Sequence, residues 1–317
     1  MPTERRTKAK RNLKPSSFNQ RKPTISIIGA GRLGTALAIA LTRRGYRVEA
    51  IMARRLAHAR RVAATLAADA RALSATQLDS LPPSNLLLIT TPDDQIALAA
   101  ARLAASHEKR GIEAEGRAVL HCSGALSSDV LSPLGSVGFR TGSMHPLISI
   151  SDPLQGAERL RGAFYAIEGG PAAVRVAQAI VRDLEGESFS IKSRDKALYH
   201  AAAVMASGHM VALFDIAMEM LKNCGLSQKR AQSVLLPLMK SMLANLSVLD
   251  AAHALTGTFA RADTATMLRH LDALKGASIG DALEVYRLLG KRSLRLAEKL
   301  GVEREALNKI GSELDEH

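Results

Sequence analysis

The stretch that decides the fold of this chain is Ile25-Ser-Ile-Ile-Gly29-Ala-Gly31-Arg32-Leu33-Gly34-Thr-Ala-Leu-Ala-Ile-Ala-Leu41. A short β-branched strand runs into a glycine-spaced turn and then into an Ala- and Leu-rich helix, which is the order of a dinucleotide-binding βα unit. Gly29 allows the tight turn, Gly31 lets a diphosphate approach the backbone, and Gly34 lets helix and strand pack closely. The diphosphate would lie on unpaired amides at the positive end of the helix, beside Arg32 and Leu33. The alternative is a glycine-rich turn without a ligand.

The second predicted strand, residues 48–53, ends in Arg54 and Arg55. In NAD-selective folds an acidic residue stands at this strand end, about twenty residues beyond the glycines, and binds the ribose hydroxyls. Two guanidinium groups suit a ribose 2′-phosphate instead, because they can hold it through charge-assisted bonds. The pair therefore favours NADP over NAD as the cofactor. The alternative is that residues 54–61 are the solvated first turns of a basic helix.

The size and charge of the chain indicate a folded protein with a basic extension. Its 317 residues are 47% hydrophobic, which is enough to bury a large core, and we expect two domains. Of the net charge of +13, residues 1–22 supply +7 through eight Lys or Arg and one Glu. These residues are predicted to form a disordered basic tail. The remaining surplus suits an anionic cofactor and an anionic substrate.

The same survey limits partners and compartment. The tail has no apolar run and is not a secretory signal, and we expect no segment of the chain to span a membrane. Nucleic acid is disfavoured as a partner, because the tail has one aromatic residue, Phe18, and no binding motif. Cys122 and Cys224 lie far apart without metal-ligand spacing. We therefore expect no metal site and a reducing, cytoplasmic location.

Alternating apolar runs and helical patterns predict an α/β fold with a doubly wound parallel sheet, followed by helices. Strands are predicted near Ile25 and Val48 and at 86–90, 118–122, 138–144, 164–168 and 188–191. Helices are predicted at 194–223, as one long helix, and at 228–246, with Pro237 inside, 261–274, 280–300 and 303–310. The expected domains are a Rossmann NADP-binding domain at 23–191 and an all-helical domain at 192–317.

In such sheets the ligand lies beyond the carboxyl ends of the strands, so the residues that follow each strand are the candidates for a site. Thr90, Thr91 and Pro92 follow the strand 86–90 and would pass beside the nicotinamide ribose. Asp93 and Asp94 come next, and we interpret them as ordinary residues of a helix start.

Two further strand ends carry polar side chains. Ser123 stands in a glycine-containing loop after the strand 118–122, where its hydroxyl could contact a substrate carboxylate or carbonyl. Serine is also a common turn former, and this alternative stays open. His145 follows the next strand and could orient substrate or donate a proton, or could equally be a loop histidine bonded to backbone.

The segment that begins at Lys196 combines a cation, an imidazole and a hydroxyl. Lys196, His200 and Ser207 are spaced by four and seven residues, so they share one face of a helix. Reduction of a carbonyl or imine needs a donor near the developing oxyanion or amine, with room for the substrate. The alternative is a solvated lysine and a hydrogen-bonded core histidine.

Five motifs together resemble the Rossmann-like oxidoreductase family whose C-terminal half is domain of unknown function 2520, over about residues 23–300. The motifs are Gly29-Ala-Gly-Arg-Leu-Gly34, His121-Cys-Ser-Gly-Ala125, Gly142-Ser-Met-His-Pro-Leu147, residues 196–207, and Leu255-Thr-Gly257 through His270-Leu271. The family is similar to pyrroline-5-carboxylate reductase, ketopantoate reductase, the β-hydroxyacid dehydrogenases and 6-phosphogluconate dehydrogenase. This resemblance implies an NADP-linked reductase with a helical dimerisation domain of the 6-phosphogluconate dehydrogenase type. By position, Ser123 would match the substrate-contacting serine loop, and Lys196 the lysine at the start of the interdomain helix.

These observations lead to one expected function and one alternative. We expect a hydride transfer between NADPH and the carbonyl or imine of a small anionic metabolite, with Lys196 or His200 protonating the product. The alternative is a non-enzymatic NADP-binding module that senses redox state or docks a partner. A homodimer through the helical domain is also expected, because the helix predicted at 194–223 has apolar residues on more than one face.

Overall fold

The computed structural model describes residues 22–66, 69–111, 114–277 and 279–316. Its contacts divide these residues into two compact units, with the boundary between Ala203 and Val204. The basic tail predicted for residues 1–22 lies outside the described residues except for Lys22, whose Nζ pairs with the Asp183 carboxylate at 2.8 Å.

The first unit is built on one eight-stranded sheet of order β3-β2-β1-β4-β5-β6-β7-β8. The strands are β1 Ile25–Ile28, β2 Val48–Ala53, β3 Arg71–Ser74, β4 Leu86–Ile89, β5 Ala118–His121, β6 Arg140–Pro146, β7 Phe164–Gly169 and β8 Glu187–Ser190. Neighbouring strands are parallel except β6 and β7, which pair antiparallel. The predicted Rossmann-like sheet is confirmed. Strand β3 was not predicted, because its sequence Arg-Ala-Leu-Ser has no β-branched residue and lies at the sheet edge.

Helices pack on the sheet and leave its central strands buried on both faces. Those of this unit are α1 Arg32–Arg43, α2 Leu56–Ala64, α3 Asp93–Arg110, α4 Ser132–Ser136, α5 Pro153–Arg159, α6 Pro171–Asp183 and most of α7 Lys196–Ala206, with short 3-10 turns at 75–80, 128–131 and 193–195. Alternate residues of one strand enter opposite cores: Ile27 belongs to one cluster and Ile28 to the other. This two-sided burial explains why β1, β4 and β5 are continuous apolar runs in the sequence.

The single long helix predicted for residues 194–223 is wrong. The structure has a 3-10 turn at Ser193–Asp195, then α7, and a separate helix α8 at Gly208–Asn223. The break is at Ser207, whose φ of −128° and ψ of −74° are not helical. A Ser-Gly pair is a common cause of such a break, because glycine stabilises a helix poorly and serine competes for backbone hydrogen bonds. Ser207 therefore does not continue the helix face of Lys196 and His200.

The second unit is helical, as predicted. It consists of α8, α9 Gln228–Leu246, α10 Ala251–Ala254, α11 Thr264–Gly276, α12 Ala282–Lys299 and α13 Arg304–Glu316. Met267, Leu271 and Ile310 are fully buried at its core. Helix α10 was not predicted. It is one turn long and depends on Asp250, whose carboxylate accepts hydrogen bonds from the amides of its first turn.

The expectation that no segment could span a membrane needs a correction. Residues 193–223, taken without regard to the break at Ser207, are long enough to cross a bilayer and contain an 18-residue window with a mean hydropathy of 1.6. Only 6% of that window is buried within the chain. Length and composition alone are weak evidence for a span, and the first turn of α7 is held against the sheet by a buried lysine, as described below.

Candidate active site

The parallel pairing of β1, β4, β5 and β6 brings the loops that follow these strands to one edge of the sheet. A cleft of about 290 Å³ opens there. Seven of the residues singled out from the sequence line it, namely Arg32, Leu33, Thr90, Thr91, Ser123, His145 and His200. Lys196 and the two arginines after β2 are not part of this lining. The cleft is thus the place where most of the predicted site residues meet.

The glycine-rich turn has the geometry that each glycine was predicted to need. Gly29 has a φ of +110°, a backbone conformation that favours glycine. A Cβ on Gly34 would lie 2.0 Å from the carbonyl oxygen of Gly29 and 2.4 Å from Thr90 Oγ1, so the helix start and the turn are in closest contact there. A Cβ on Gly31 would meet no atom within 4 Å. Gly31 therefore faces open space, at the position where a ligand would approach.

The first turn of α1 is available to an anion. Among the described residues no side chain caps it, and no acidic residue lies in it, so its backbone N–H groups are open to a ligand. His58, which the sequence reasoning missed, braces the turn: its Nε2 lies 2.6 Å from the carbonyl oxygen of Ala30. Arg54 and Arg55, at the end of β2, are both exposed. These features fit a phosphorylated dinucleotide with a second phosphate near β2.

The two threonines after β4 differ in what they do. Thr90 Oγ1 donates a hydrogen bond to the carbonyl oxygen of Gly29 at 2.5 Å and so supports the glycine turn. Thr91 Oγ1 is buried and has no hydrogen-bond partner among the described residues, although Thr91 lines the cleft. A buried hydroxyl without a hydrogen-bond partner destabilises the folded protein, so this position suits a ligand that supplies such a partner. Pro92 is the N-cap residue of α3.

The Ser123 hydroxyl is engaged within the chain. Its Oγ donates to Asp93 Oδ2 at 2.8 Å and accepts from the backbone N–H groups of Ala125 at 3.1 Å and Leu126 at 3.0 Å. These three bonds use the donor and both lone pairs of a hydroxyl. Ser123 therefore shapes the loop after β5, and Asp93 positions it from the start of α3.

Lys196 lies beneath that loop rather than in the cleft, and its side chain is 1% exposed. Its Nζ donates to the carbonyl oxygen of Ser123 at 3.0 Å and to Ser143 Oγ at 2.7 Å, and lies 4.0 Å from Glu168 Oε2. Burial lowers the pKa of Lys196 to about 8, partly offset by the charge of Glu168. The structure thus separates Lys196 from His200, although both lie on α7.

Glu168, which the sequence reasoning missed, is the buried anion of this cluster. It accepts hydrogen bonds from the backbone N–H and the hydroxyl of Ser128 and from the hydroxyls of Ser143 and Ser193. Burial by itself raises its pKa, but the bonds from Ser128 and Ser193 and the charge of Lys196 outweigh burial, and its pKa is lowered. The pair is therefore ionised.

A larger and more open cleft of about 600 Å³ lies on the other side of Glu168, lined by Ser128 and Ser193 among others. None of the residues predicted to bind cofactor or substrate lines it. The carboxylate of Glu168 already accepts four hydrogen bonds within 3.1 Å from the chain. The smaller cleft is the better candidate for a reaction site.

The floor of the smaller cleft carries two histidines. The rings of His145 and His200 meet edge to face with centroids 5.6 Å apart, and Gly124 lies directly against both. A Cβ on Gly124 would be 2.5 Å from His200 Cδ2 and 2.9 Å from His145 Nε2. Burial, together with the charges of His200 and Lys196, lowers the pKa of His145 to about 4. His145 is thus a neutral imidazole near pH 7.

The buried lysine generates a prediction on stability. The pKa of Lys196 in the folded protein is about 8 and in an unfolded chain about 10.4. Between these values the unfolded chain binds more protons, so the free energy of unfolding that Lys196 contributes rises with pH across that window. We expect Lys196→Met to abolish this rise and to lower the free energy of unfolding at pH 7 by about 3 kcal/mol, because Glu168 loses its countercharge.

Urea unfolding of both proteins from pH 7 to 10.5 measures this difference. The double variant Lys196→Met with Glu168→Gln is the matched control, and it should recover part of the loss because no buried charge is left alone. Parallel curves for the native protein and Lys196→Met across the window would contradict the assignment.

Comparison with known proteins agrees with this architecture. Residues 10–146 match the family model of a Rossmann-like domain, and residues 163–293 match that of domain of unknown function 2520. The search of curated proteins gives no match.

Three solved structures illustrate the likeness. A proposed NADP oxidoreductase from Bacteroides fragilis has 23% identity and a TM-score of 0.71, over 87% of this chain and 99% of that one. A Thermotoga maritima protein has 23% identity and a TM-score of 0.66, over 87% and 98%. An imine reductase from a Pseudomonas species has 19% identity and a TM-score of 0.58, over 91% and 99%. The chain therefore carries a Rossmann-like domain followed by a domain of unknown function 2520. This pair of domains defines the family that its sequence resembles.

Proposed function

We propose that this chain is an NADP-dependent oxidoreductase that transfers a hydride between NADPH and the carbonyl or imine of a small metabolite. The observation that carries the proposal is the cleft itself, which joins an uncapped helix start and an open Gly31 to a pair of histidines. The likeness to an imine reductase and to a proposed NADP oxidoreductase supports this at the level of the fold.

Residues of the first unit would hold the cofactor along its length. The backbone at Gly31, Arg32 and Leu33 would bind the diphosphate, and Arg54 and Arg55 the 2′-phosphate. The segment 90–92 would lie along the nicotinamide ribose, with the Thr91 hydroxyl as a ligand to it. When bound, NADPH supplies the hydride, and the chain supplies its orientation over the cleft.

The substrate would lie between the loop at Ser123 and Gly124 and the two histidines. His145 and His200 reach this space, and either can donate a hydrogen bond to the oxygen or nitrogen that accepts the proton. Ser123 and Lys196 act here as positioning residues: the lysine holds the loop from below and the serine hydroxyl shapes it. Arg32 is the cationic side chain of the described lining, and we assign it to the expected anionic group of the substrate.

The second candidate function is a non-enzymatic NADP-binding sensor or interaction module. It is favoured by two observations: the Lys196 side chain is 1% exposed, and the pKa of His145 is about 4, so His145 carries no imidazolium proton near pH 7. Tight binding of NADPH without turnover over a panel of ketones, keto acids and cyclic imines would favour the sensor.

We also propose a cytoplasmic homodimer without a membrane or nucleic-acid partner. The support is the second unit, where large apolar side chains stand in solvent: Val211 is 69% exposed, Leu238 67% and Val248 79%. Large apolar side chains that are exposed on a monomer suit an association surface. The free cysteines Cys122 and Cys224 suit a reducing compartment.

The cofactor proposal predicts a preference that titration measures directly. NADPH should bind at least tenfold more tightly than NADH, a difference of about 1.4 kcal/mol, which one phosphate-guanidinium interaction can supply. The double variant Arg54→Ala with Arg55→Ala should remove the preference and leave NADH binding unchanged. Arg140→Ala, at another exposed arginine of the sheet, is the matched control. Equal affinities in the native protein would overturn the NADP assignment.

The glycine turn predicts loss of both cofactors in one variant. Gly31→Val should abolish the binding of NADPH and NADH, because a branched side chain would enter the path of the diphosphate. The melting temperature should not fall, since a Cβ at Gly31 meets no atom within 4 Å. Binding that survives this change would place the diphosphate elsewhere.

The reductase proposal predicts a loss of turnover at His200. His200→Gln removes the ring that packs edge to face on His145 beside the substrate space, so NADPH oxidation with an active ketone or imine should fall about a hundredfold through lost positioning. The melting temperature and the NADPH affinity should stay unchanged. His209→Gln, at an exposed histidine, is the matched control. Full activity in His200→Gln would leave His145 as the histidine of this cleft that serves the substrate.

The dimer proposal predicts the mass of a homodimer in light scattering at micromolar concentration. Val211→Asp with Leu238→Asp should shift the protein to monomers, because both charges would be buried at an apolar interface. Leu154→Asp, at a 58% exposed leucine of the first unit, is the control that should stay dimeric. A native monomer would remove the proposal.

A further inference from the structure

Tyr199 belongs to the site, although the sequence reasoning assigned it no role. Its hydroxyl oxygen lies 2.7 Å from His145 Nδ1, which joins helix α7 to strand β6. The tyrosine ring also meets the rings of His145 and Phe189 edge to face, with centroids 5.7 Å and 5.9 Å away. These contacts hold the phenol and the imidazole in one arrangement.

We propose that Tyr199 and His145 form a proton relay, in which Tyr199 donates a hydrogen bond to Nδ1 and thereby fixes the neutral imidazole with Nε2–H facing the cleft. Tyr199 acts through His145 and is a positioning residue. The relay rests on the proposed reductase function and deepens it, because it assigns a carbonyl as the group that is reduced.

The direction of the hydrogen bond follows from the two groups. A phenol is a stronger acid than a neutral imidazole, and an imidazole nitrogen accepts more strongly than a phenol oxygen, so the hydroxyl donates. Burial raises the pKa of Tyr199 to about 12 and lowers that of His145 to about 4. His200 and Lys196 also lower the pKa of His145, while Asp93 opposes them. Both members of the pair are therefore neutral near pH 7.

The remaining nitrogen of His145 is directed at the cleft. Nε2 has no hydrogen-bond partner among the described residues, and His145 is part of the cleft lining. A Cβ on Gly124 would lie only 2.9 Å from Nε2. The glycine thus keeps open the space through which a substrate oxygen can reach the N–H group.

Addition of a hydride to a carbonyl carbon leaves an alkoxide oxygen, which takes the proton from Nε2 while Nδ1 takes the proton from the hydroxyl of Tyr199. After the alcohol leaves, Nε2 takes a proton from water in the cleft while Nδ1 returns its proton to the Tyr199 phenolate, which restores the starting tautomer. An alkoxide is a stronger base than a phenolate, so the transfer is favourable. An iminium ion becomes a neutral amine on hydride addition and needs no proton, so the relay accelerates only carbonyl reduction.

The tautomer is tested first, without turnover. Imidazole ¹⁵N NMR of the native protein at pH 7 should show His145 protonated at Nε2 and not at Nδ1, with the signals assigned through His145→Asn. Tyr199→Phe should shift the Nδ1 signal and mix the tautomers. The matched control is Tyr286→Phe, which removes a hydroxyl that lies 2.7 Å from Nδ1 of His270. A native proton on Nδ1, or identical His145 signals in Tyr199→Phe, would overturn the proposal.

The relay itself is tested with two probes, cyclohexanone and the preformed 1-methyl-1-pyrrolinium ion. In Tyr199→Phe the kcat for the ketone should fall at least tenfold, with KM and NADPH affinity unchanged, whereas reduction of the iminium ion should stay within twofold. Equal losses on both probes would overturn the relay. Absence of turnover on any carbonyl or imine in the native protein would count against the reductase function, and the NMR result would still decide the role of Tyr199.

Discussion

The interaction on which the site depends is the buried contact of the Lys196 ammonium with the carbonyl oxygen of Ser123, the Ser143 hydroxyl and the Glu168 carboxylate. It joins the loop after β5, the middle of β6, the end of β7 and the start of α7 in one cluster. Burying a charge is costly unless the charge is paired and hydrogen-bonded. Here the Lys196 ammonium and the Glu168 carboxylate are paired with each other, and both are hydrogen-bonded. The cluster therefore tolerates little displacement, and it sets where α7 begins.

Once α7 is held there, its next turn places Tyr199 and His200 at the cleft. Lys196 and His200 are four residues apart, so they lie one above the other on the helix, the lysine inward and the histidine toward the cleft. The same cluster lowers the pKa of His145 through the charge of Lys196. A group that never touches the cleft thus influences both the geometry and the protonation of the groups that do.

The sequence predicted the parts of this structure that depend on local pattern. The glycine turn, the buried strands and the residues just beyond them follow from spacing and apolar runs, and the structure assembles seven of those residues in one cleft. Local sequence patterns did not indicate a role for Glu168, because its partners Ser128 and Lys196 are 40 and 28 positions away in the sequence. The same patterns predicted a helix that continues past Ser207. Apolar periodicity does not reveal this break, because the break comes from the backbone conformation of a single residue.

The role of Lys196 shows how burial changes what a residue type can do. From sequence, a lysine and a histidine on one helix face indicate two candidate acids, but the structure encloses the lysine: its side chain is 1% exposed and its Nζ donates to the Ser123 carbonyl oxygen and the Ser143 hydroxyl. The same low-dielectric surroundings keep His145 neutral and Tyr199 protonated. A neutral donor pair of this kind suits a reaction that creates a strong base at the substrate, as hydride addition to a carbonyl does.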